Sequence, residues 1–460
     1  MCGIAGFIGA CDDQAGQARL DAFSRALRHR GPDGSGRFTA VIDHGRARVG
    51  LAHTRLAIID PAGGAQPMLS RDGRLALVFN GEIYNFRELR AELSQRGQVF
   101  HTSCDSEVVL CAYAAWGERF VDRLRGMFAL AVWDSHAETL LLARDRFGEK
   151  PLFYGWVAGC FVFASEAGAI TSLPGFSARL DDEALPLFLQ YRYTPAPLTL
   201  LDGVRKLMPG CIARVTTAGV EESRYYRPPD ARATVDGAVP GDVAATFRNQ
   251  LDEAVGAMMV SDVPFGAFLS GGIDSSAIVA LMARRSSQPI RTFAVGFEES
   301  GYSELDAAQT VARHCRTEHH ALTLRTQDVC DLLVDAARWR DAPVAEPADL
   351  PMLLLAREAS RSVKMVLTGE GSDESLGGYP KHLLELGVGP YQSIPAALRQ
   401  RLLEPGIAVL PYGARRLRTA AAAMSLADAV DRLPRWFGAL SVDEVTALIG
   451  RRPQLNGYRY

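Results

Sequence analysis

Three short stretches hold residue types that could do chemistry. The chain opens "MCGIAGFIGA", a thiol at position 2 ahead of a short apolar run broken by glycines. Such a cysteine is the start of an export signal, an incidental small residue, or a nucleophile that becomes the amino terminus once Met1 is removed. The third reading has a chemical rationale. An α-amine with a pKa of about 7.7–8.0 can accept the proton of a thiol near 8.5, so no histidine partner is needed. The export reading fails: a signal peptide needs a basic segment before its apolar core, and the first Lys or Arg is Arg19, after "GFIGACDD" has turned polar. Two readings of Cys2 stay open at this point.

The second stretch is "AFLSGGIDSS", residues 267–276. It runs from an apolar strand through a Gly-Gly turn into a helix. Ser270, Gly271 and Gly272 can bring backbone N–H groups close to an anion, because glycine has no Cβ in the way. The following helix points its positive end at the same spot. Asp274 makes little sense in such a cradle for phosphate alone; it makes good sense if the ligand carries Mg²⁺ between carboxylate and phosphates. A Walker lysine is absent, so this is not a kinase-type loop. The third stretch, "LTGEGSDESLGGY", places Glu370, Asp373 and Glu374 among glycines after another apolar strand. A solvated turn would look the same when taken alone. Beside the first loop, Asp373 is a candidate second metal ligand and Glu370 a candidate for orienting the substrate.

These stretches need elements to hold them. Before residue 195, short β-branched and aromatic segments (74–86, 127–134, 139–145, 160–166) alternate with helical ones (14–28, 86–96, 106–116), which predicts antiparallel sheets with helices packed on them. Pro, Gly and Asp crowd residues 196–240, where a linker is expected. Beyond it, strands (263–269, 290–297, 319–325, 364–369) alternate with helices (275–285, from Ser303, 326–340, from Pro351). Ser303 and Asp306 resemble a capping box. That rhythm predicts a doubly wound parallel sheet whose ligand sits at the carboxyl ends of its strands. From about residue 391 the chain reads as helical, with its arginines on a solvated face.

Composition narrows the class. A 460-residue chain is expected to form two domains, and 48% hydrophobic with 22% charged residues is a globular balance. A net charge of −3 gives no basic footprint for nucleic acid or an anionic membrane surface, and no apolar run reaches bilayer length. The eight cysteines (2, 11, 104, 111, 160, 211, 315, 330) include no C-x-x-C pair, which argues against zinc and a disulfide framework and suits a reducing cytoplasm.

Several motifs together carry a family resemblance. Cys2-Gly3-Ile4, "RHRGPDG" (28–34), "HTRLAIID" (53–60), "FNGEIYN" (79–85), "CDSE" (104–107) and "RDRFGEKPLFY" (144–154) resemble the N-terminal-nucleophile glutaminase domain of class II glutamine amidotransferases. "SGGIDSS" and "LTGEGSDE" resemble the ATP-pyrophosphatase domain of glutamine-hydrolysing asparagine synthetases. The resemblance implies an αββα sandwich over residues 2–195, then, after the linker, an α/β synthetase domain over 241–460. It implies that Met1 is removed and that Cys2 attacks the glutamine amide, with Asn80 and Gly81 as oxyanion donors. The glutamine clamp maps onto Arg55 for the α-carboxylate and onto Glu82 and Asp105 for the α-ammonium, with Leu56, Ala57, Ile58 and Ile59 beside them. ATP maps onto Phe268, Leu269, Ser270, Gly271, Gly272, Asp274, Ser275, Ser276, Val295, Thr368 and Gly369; Mg²⁺ onto Asp274 and Asp373; and the acyl-adenylate intermediate near Glu370.

The activity so implied is ATP-dependent amidation of aspartate with glutamine nitrogen, releasing AMP and pyrophosphate in the cytoplasm, with a homodimer as one admissible assembly. Ammonia would cross between the domains by a dry passage. Relatives of this architecture amidate other carboxylates in polysaccharide or peptide pathways, so a different acceptor is an alternative. Two departures stand out. Ser375 and Leu376 follow Asp-Glu where the family has Leu-Phe, and the chain ends at "GYRY" near where the family continues into helices carrying a phosphate-contacting lysine. The synthetase half is therefore expected to be C-terminally incomplete, and a glutaminase joined to an inactive nucleotide module is a further alternative.

Overall fold

Short apolar strands, most of them buried on both faces, build the N-terminal half. The computed structural model describes residues 1–229, 242–298, 303–341, 346 and 348–453. Twelve strands come first: β1 (Gly3–Gly9), β2 (Gly34–Ile42), β3 (Ala47–Arg55), β4 (Met68–Leu69), β5 (Leu75–Ile83), β6 (Gly126–Asp134), β7 (Thr139–Arg144), β8 (Phe153–Val157), β9 (Cys160–Ala164), β10 (Val204–Lys206), β11 (Cys211–Thr216) and β12 (Gly219–Arg224). They form two antiparallel sheets, ordered β10-β8-β9-β1-β3-β2 and β12-β11-β7-β6-β5-β4. On β5, Ala76 and Val78 face the other sheet, where they meet Ile4, Val49 and Leu51. Leu75, Leu77 and Phe79 point the opposite way, onto α2 (Phe86–Gln95) and α3 (Asp105–Trp116). The outer face of the first sheet is covered by α1 (Asp13–Ala26) and α4 (Ala167–Thr171) through Leu20, Phe23 and Ile170. This is the expected αββα sandwich.

The stretch 196–240 is not a linker throughout. β10 joins the edge of the first sheet through Val204↔Gly155, and β11 and β12 extend the second through Ile212↔Ala143. Short strands survive that Pro- and Gly-rich composition because each lies at or near a sheet edge, where few ladder bonds are demanded. Residues 230–240 of the expected linker lie outside the described residues. After α5 (Ala184–Tyr191) and α6 (Val243–Met258), a four-stranded sheet is built from β13 (Phe265–Phe268), β14 (Arg291–Phe297), β15 (Glu318–Leu324) and β16 (Met365–Leu367). Its order is β15-β14-β13-β16, and every pairing is parallel. α6, α7 (Ile273–Arg285) and α8 (Leu305–Cys315) pack on one face around Val255, Val279 and Ala308. α9 (Thr326–Trp339) follows, and α10 (Asp349–Ala359) covers the other face through Leu355 and Ala359 beside Phe293. The order reverses between β13 and β16, so the crevice at their carboxyl ends is the natural ligand position.

Two details differ from the sequence reading. α8 takes Glu304, not Ser303, as its N-cap, with no side-chain cap bond. In the helical C-terminal part, Arg432 is not on a solvated face; it is 8% exposed and pairs with Glu385 at 3.0 Å.

The two halves dock through specific polar contacts. Lys364 Nζ lies 2.6 Å from Asp33 Oδ2, and Asp262 Oδ2 accepts the N–H of Asp60 at 2.8 Å. Asp341 accepts the N–H groups of Ala167 (2.6 Å) and Gly168, and Arg192 pairs with Glu346 at 3.0 Å.

Candidate active sites

β1 is fully buried in the first sheet and delivers Cys2 at its start. Arg30 fixes the backbone there: its Nε donates to Cys2 O at 2.9 Å while its Nη1 pairs with Glu166 at 2.8 Å. Cys2 Sγ sits against Leu56, accepting from the Leu56 N–H at 3.4 Å and donating to its carbonyl at 3.6 Å. The end of β5 supplies Asn80, Gly81 and Glu82. A Cβ on Gly81 would lie 2.2 Å from Met127 O, so the close approach of β6 admits glycine alone. The first residue of α3 is Asp105, whose Oδ2 accepts the Ile83 N–H at 3.0 Å. The Arg55 guanidinium is aimed by carbonyls, at 2.7 Å from both Pro61 O and Asp60 O.

These groups line one cavity of about 70 Å³ together with Ile58, Ile59, Lys150 and Met1. Ala57, expected beside them, does not line it: its N–H is turned to Asp33 Oδ2 at 2.8 Å and its side chain is buried. Asn80 is 1% exposed, and its Nδ2 has no partner among the described residues. A buried amide N–H₂ facing a cavity without an acceptor is a donor awaiting one.

Charge is tuned by burial. Burial pushes the Cys2 thiol up, and pulls the Met1 α-amine down to about 6. Glu82 is raised to about 7 by burial and by the neighbouring Asp105 charge, with Lys150 and the amino terminus opposing. Burial likewise raises Asp105 and lowers Lys150. Lys150 was missed as a site residue although its motif was in view. Asp145 accepts the N–H groups of Phe147, Glu149 and Lys150, each at 3.0 Å, and that turn carries the lysine into the cavity. The usable signal was a lysine between a polar turn and the apolar "PLFY".

The second cavity, of about 320 Å³, lies at the carboxyl ends of β13 and β16. Phe268, Leu269, Ser270, Gly272, Asp274, Ser275, Val295, Thr368, Gly369, Glu370 and Asp373 all line it, as the sequence reading grouped them. Gly271 and Ser276 do not. Gly271 has φ +85° and packs its Cα on α8, where a Cβ would lie 2.6 Å from the Ala307 backbone. The Ser276 hydroxyl is buried with no partner among the described residues. Ser275 ties the loop together, its Oγ 3.0 Å from Ser270 Oγ and accepting the Ser270 N–H at 3.2 Å. The lining residues that were missed include Phe293, Met352 and Leu355, which give the cavity an apolar wall, Glu304 at the start of α8, and Tyr379. Tyr379 Oη donates to Glu374 at 2.6 Å, so that carboxylate is engaged by protein.

The carboxylates fit a magnesium ion carried by phosphates. Asp274 and Asp373 face one cavity beside N–H donors, while among the described residues no group of three or more acidic, histidine or cysteine side chains forms a cage. Mg²⁺ typically takes one or two carboxylates and completes its shell with phosphate and water. None of the described helices is long and apolar enough to cross a membrane.

Comparison with known proteins agrees with both halves. Residues 1–226 match the glutamine amidotransferase domain family and residues 246–447 the asparagine synthase family. "Asparagine synthetase [glutamine-hydrolyzing] 1" of Bacillus subtilis is 36% identical over 421 residues, covering 90% of this chain and 64% of the relative. A Mycobacterium tuberculosis protein of like designation is 40% identical over 422 residues, covering 87% and 64%. "Asparagine synthetase [glutamine-hydrolyzing] 2" of Arabidopsis thaliana is 37% identical over 393 residues, covering 82% and 61%. The chain thus spans just under two thirds of the length of the curated relatives it matches. With a glutamine amidotransferase domain followed by an asparagine synthase domain, it belongs to the family of the glutamine-hydrolysing asparagine synthetases.

Proposed function

We propose that this chain hydrolyses glutamine in the first cavity and uses the ammonia to amidate a carboxylate, aspartate in the leading reading, at the second. What carries the reading is the pairing in one chain of a half-buried thiol sharing a cavity with an orphaned amide donor, and a Gly-Gly loop at a helix start sharing a cavity with two carboxylates.

Removal of Met1 frees an α-amine on Cys2 itself. That amine takes the thiol proton, and Sγ attacks the glutamine amide carbon. Asn80 Nδ2 and the Gly81 N–H receive the oxyanion; one such donor is worth about 3–4 kcal/mol. The amine returns its proton to the leaving ammonia, and water then releases glutamate from the thioester. Arg55 pairs with the substrate α-carboxylate as a planar fork, and Glu82 and Asp105 with its α-ammonium. In the second cavity the acceptor carboxylate attacks the α-phosphorus of ATP, pyrophosphate leaves, and ammonia displaces AMP from the acyl-adenylate. The unpaired N–H groups at the start of α7 receive phosphate oxygens, and Glu370 orients the acceptor. Asp274 and Asp373 would hold Mg²⁺, which would supply neutralisation of phosphate charge.

Incubation of purified protein with glutamine, aspartate and MgATP tests the reading. Asparagine and pyrophosphate are expected in step with glutamate, from a protein whose intact mass lacks Met1. Glutamate without asparagine would instead favour another acceptor, or a nucleotide domain that does not amidate. A retained Met1 in active protein would refute the amine-as-base step. The pH profile gives a second check. Glu82 is neutral below about 7 and ionised above it. Glutamine KM is therefore expected to fall as pH rises through that range, and Glu82→Gln to raise KM and flatten the fall.

A further inference from the structure

The loop after β3 touches both halves of the molecule. Leu56 brackets Cys2 Sγ with its N–H and carbonyl, at 3.4 and 3.6 Å. One residue on, the Ala57 N–H donates to Asp33 Oδ2 at 2.8 Å, and that same oxygen accepts Lys364 Nζ at 2.6 Å. Asp262 closes the other side, donating its N–H to Ile58 O at 3.1 Å and accepting the Asp60 N–H at 2.8 Å. Asp60 O in turn holds the Arg55 guanidinium at 2.7 Å.

Both outside partners belong to the nucleotide-binding domain. Asp262 lies just before β13 and Lys364 just before β16. These strands pair in parallel through Phe265↔Met365, and the Lys364 N–H donates to Pro264 O at 3.0 Å. The loop beside Cys2 is thus seated on the amino ends of the two strands whose carboxyl ends carry Leu269, Ser270, Thr368 and Gly369 of the second cavity. We infer that Lys364 and Asp262 are positioning residues for the glutamine reaction, holding the Leu56–Asp60 loop and the Arg55 fork in the geometry that glutamine requires. The inference rests on the glutaminase reading above. An ordinary interface ion pair would leave the reaction untouched; here the bridged carboxylate oxygen also holds a backbone N–H next to the residue that cradles the thiol.

The test is steady-state glutamine hydrolysis by the full chain and its K364M, K364R, D33N and D262A variants. D33N keeps an acceptor for the Ala57 N–H while losing the charge. K364M is expected to raise glutamine KM about three- to fivefold with kcat within about twofold, the scale of one partly exposed ion pair. K364R should restore KM, and K364M/D33N should be no worse than D33N alone, because both changes remove one interaction. If K364M fails to fold, as judged by thermal unfolding, the D262A KM serves instead and is expected to rise similarly, because alanine removes the acceptor of the Asp60 N–H. A wild-type KM in K364M, a loss that K364R does not repair, or fully additive losses in the double variant would overturn the inference. A wild-type chain whose glutamine hydrolysis is absent, or survives Cys2→Ala, would overturn the functional reading beneath it.

Discussion

Cys2→Ala is expected to lower glutamine hydrolysis by at least about 10⁴-fold while ammonia-supported, ATP-dependent amidation continues at its original rate. The size follows from what is removed. Other nucleophile deletions cost this much or more, because the remaining oxyanion donors and binding contacts stabilise only a reaction with water. The sparing of the second reaction follows from the fold. Cys2 enters the αββα sandwich at the head of β1, whereas the second cavity is built by β13, β16 and the loops that follow them. Nor should the substitution unfold the sandwich, since the buried run of β1 begins at Gly3. Glutamate release is read with glutamine as the nitrogen donor, and pyrophosphate release with ammonium chloride as the donor. Loss of both activities in a folded variant would contradict two separate sites.

Asp274→Asn gives the complementary outcome. Pyrophosphate release is expected to fall by about 10²–10³-fold, with glutamine hydrolysis unchanged within about twofold. The scale is that of removing one preorganised electrostatic contact from a transition state in which phosphate charge accumulates. An asparagine keeps the size and one acceptor oxygen but loses the negative charge that makes a magnesium ligand worthwhile beside an anion cradle. Raising MgCl₂ should recover part of the rate if the defect is metal affinity. Equal loss of glutamine hydrolysis would place Asp274 in the fold's integrity instead.

Much of this arrangement was legible because it is local. The β-branched and aromatic run at 74–86 marked β5 as a strand, and the strand–Gly-Gly–helix pattern located the second cavity. What escaped was set by long-range contact. Nothing in "GVRKL" or "CIARVT" announces a strand that extends a sheet, since three to six residues at or next to an edge carry little periodic signal. Lys150 reaches the first cavity only through the turn that Asp145 organises, and Ala57 leaves it because Asp33 claims its N–H. Gly271 serves the backbone path onto α8 rather than the cavity wall. Spacing names the residues of a loop; the packing behind the loop decides which of them face inward.

The late strands have a consequence for synthesis. β7 is apolar and buried from Leu140 to Ala143, yet its free side is covered only when β11 and β12 arrive some seventy residues afterwards. Until then a nascent chain offers an unpaired leucine-rich ladder to any neighbouring polypeptide. The strand that finally takes the border position, β12, is short and carries Glu221, Glu222, Ser223 and Arg224, all exposed. Charge on the outermost strand discourages further pairing, so translation itself ends the hazard that translation creates.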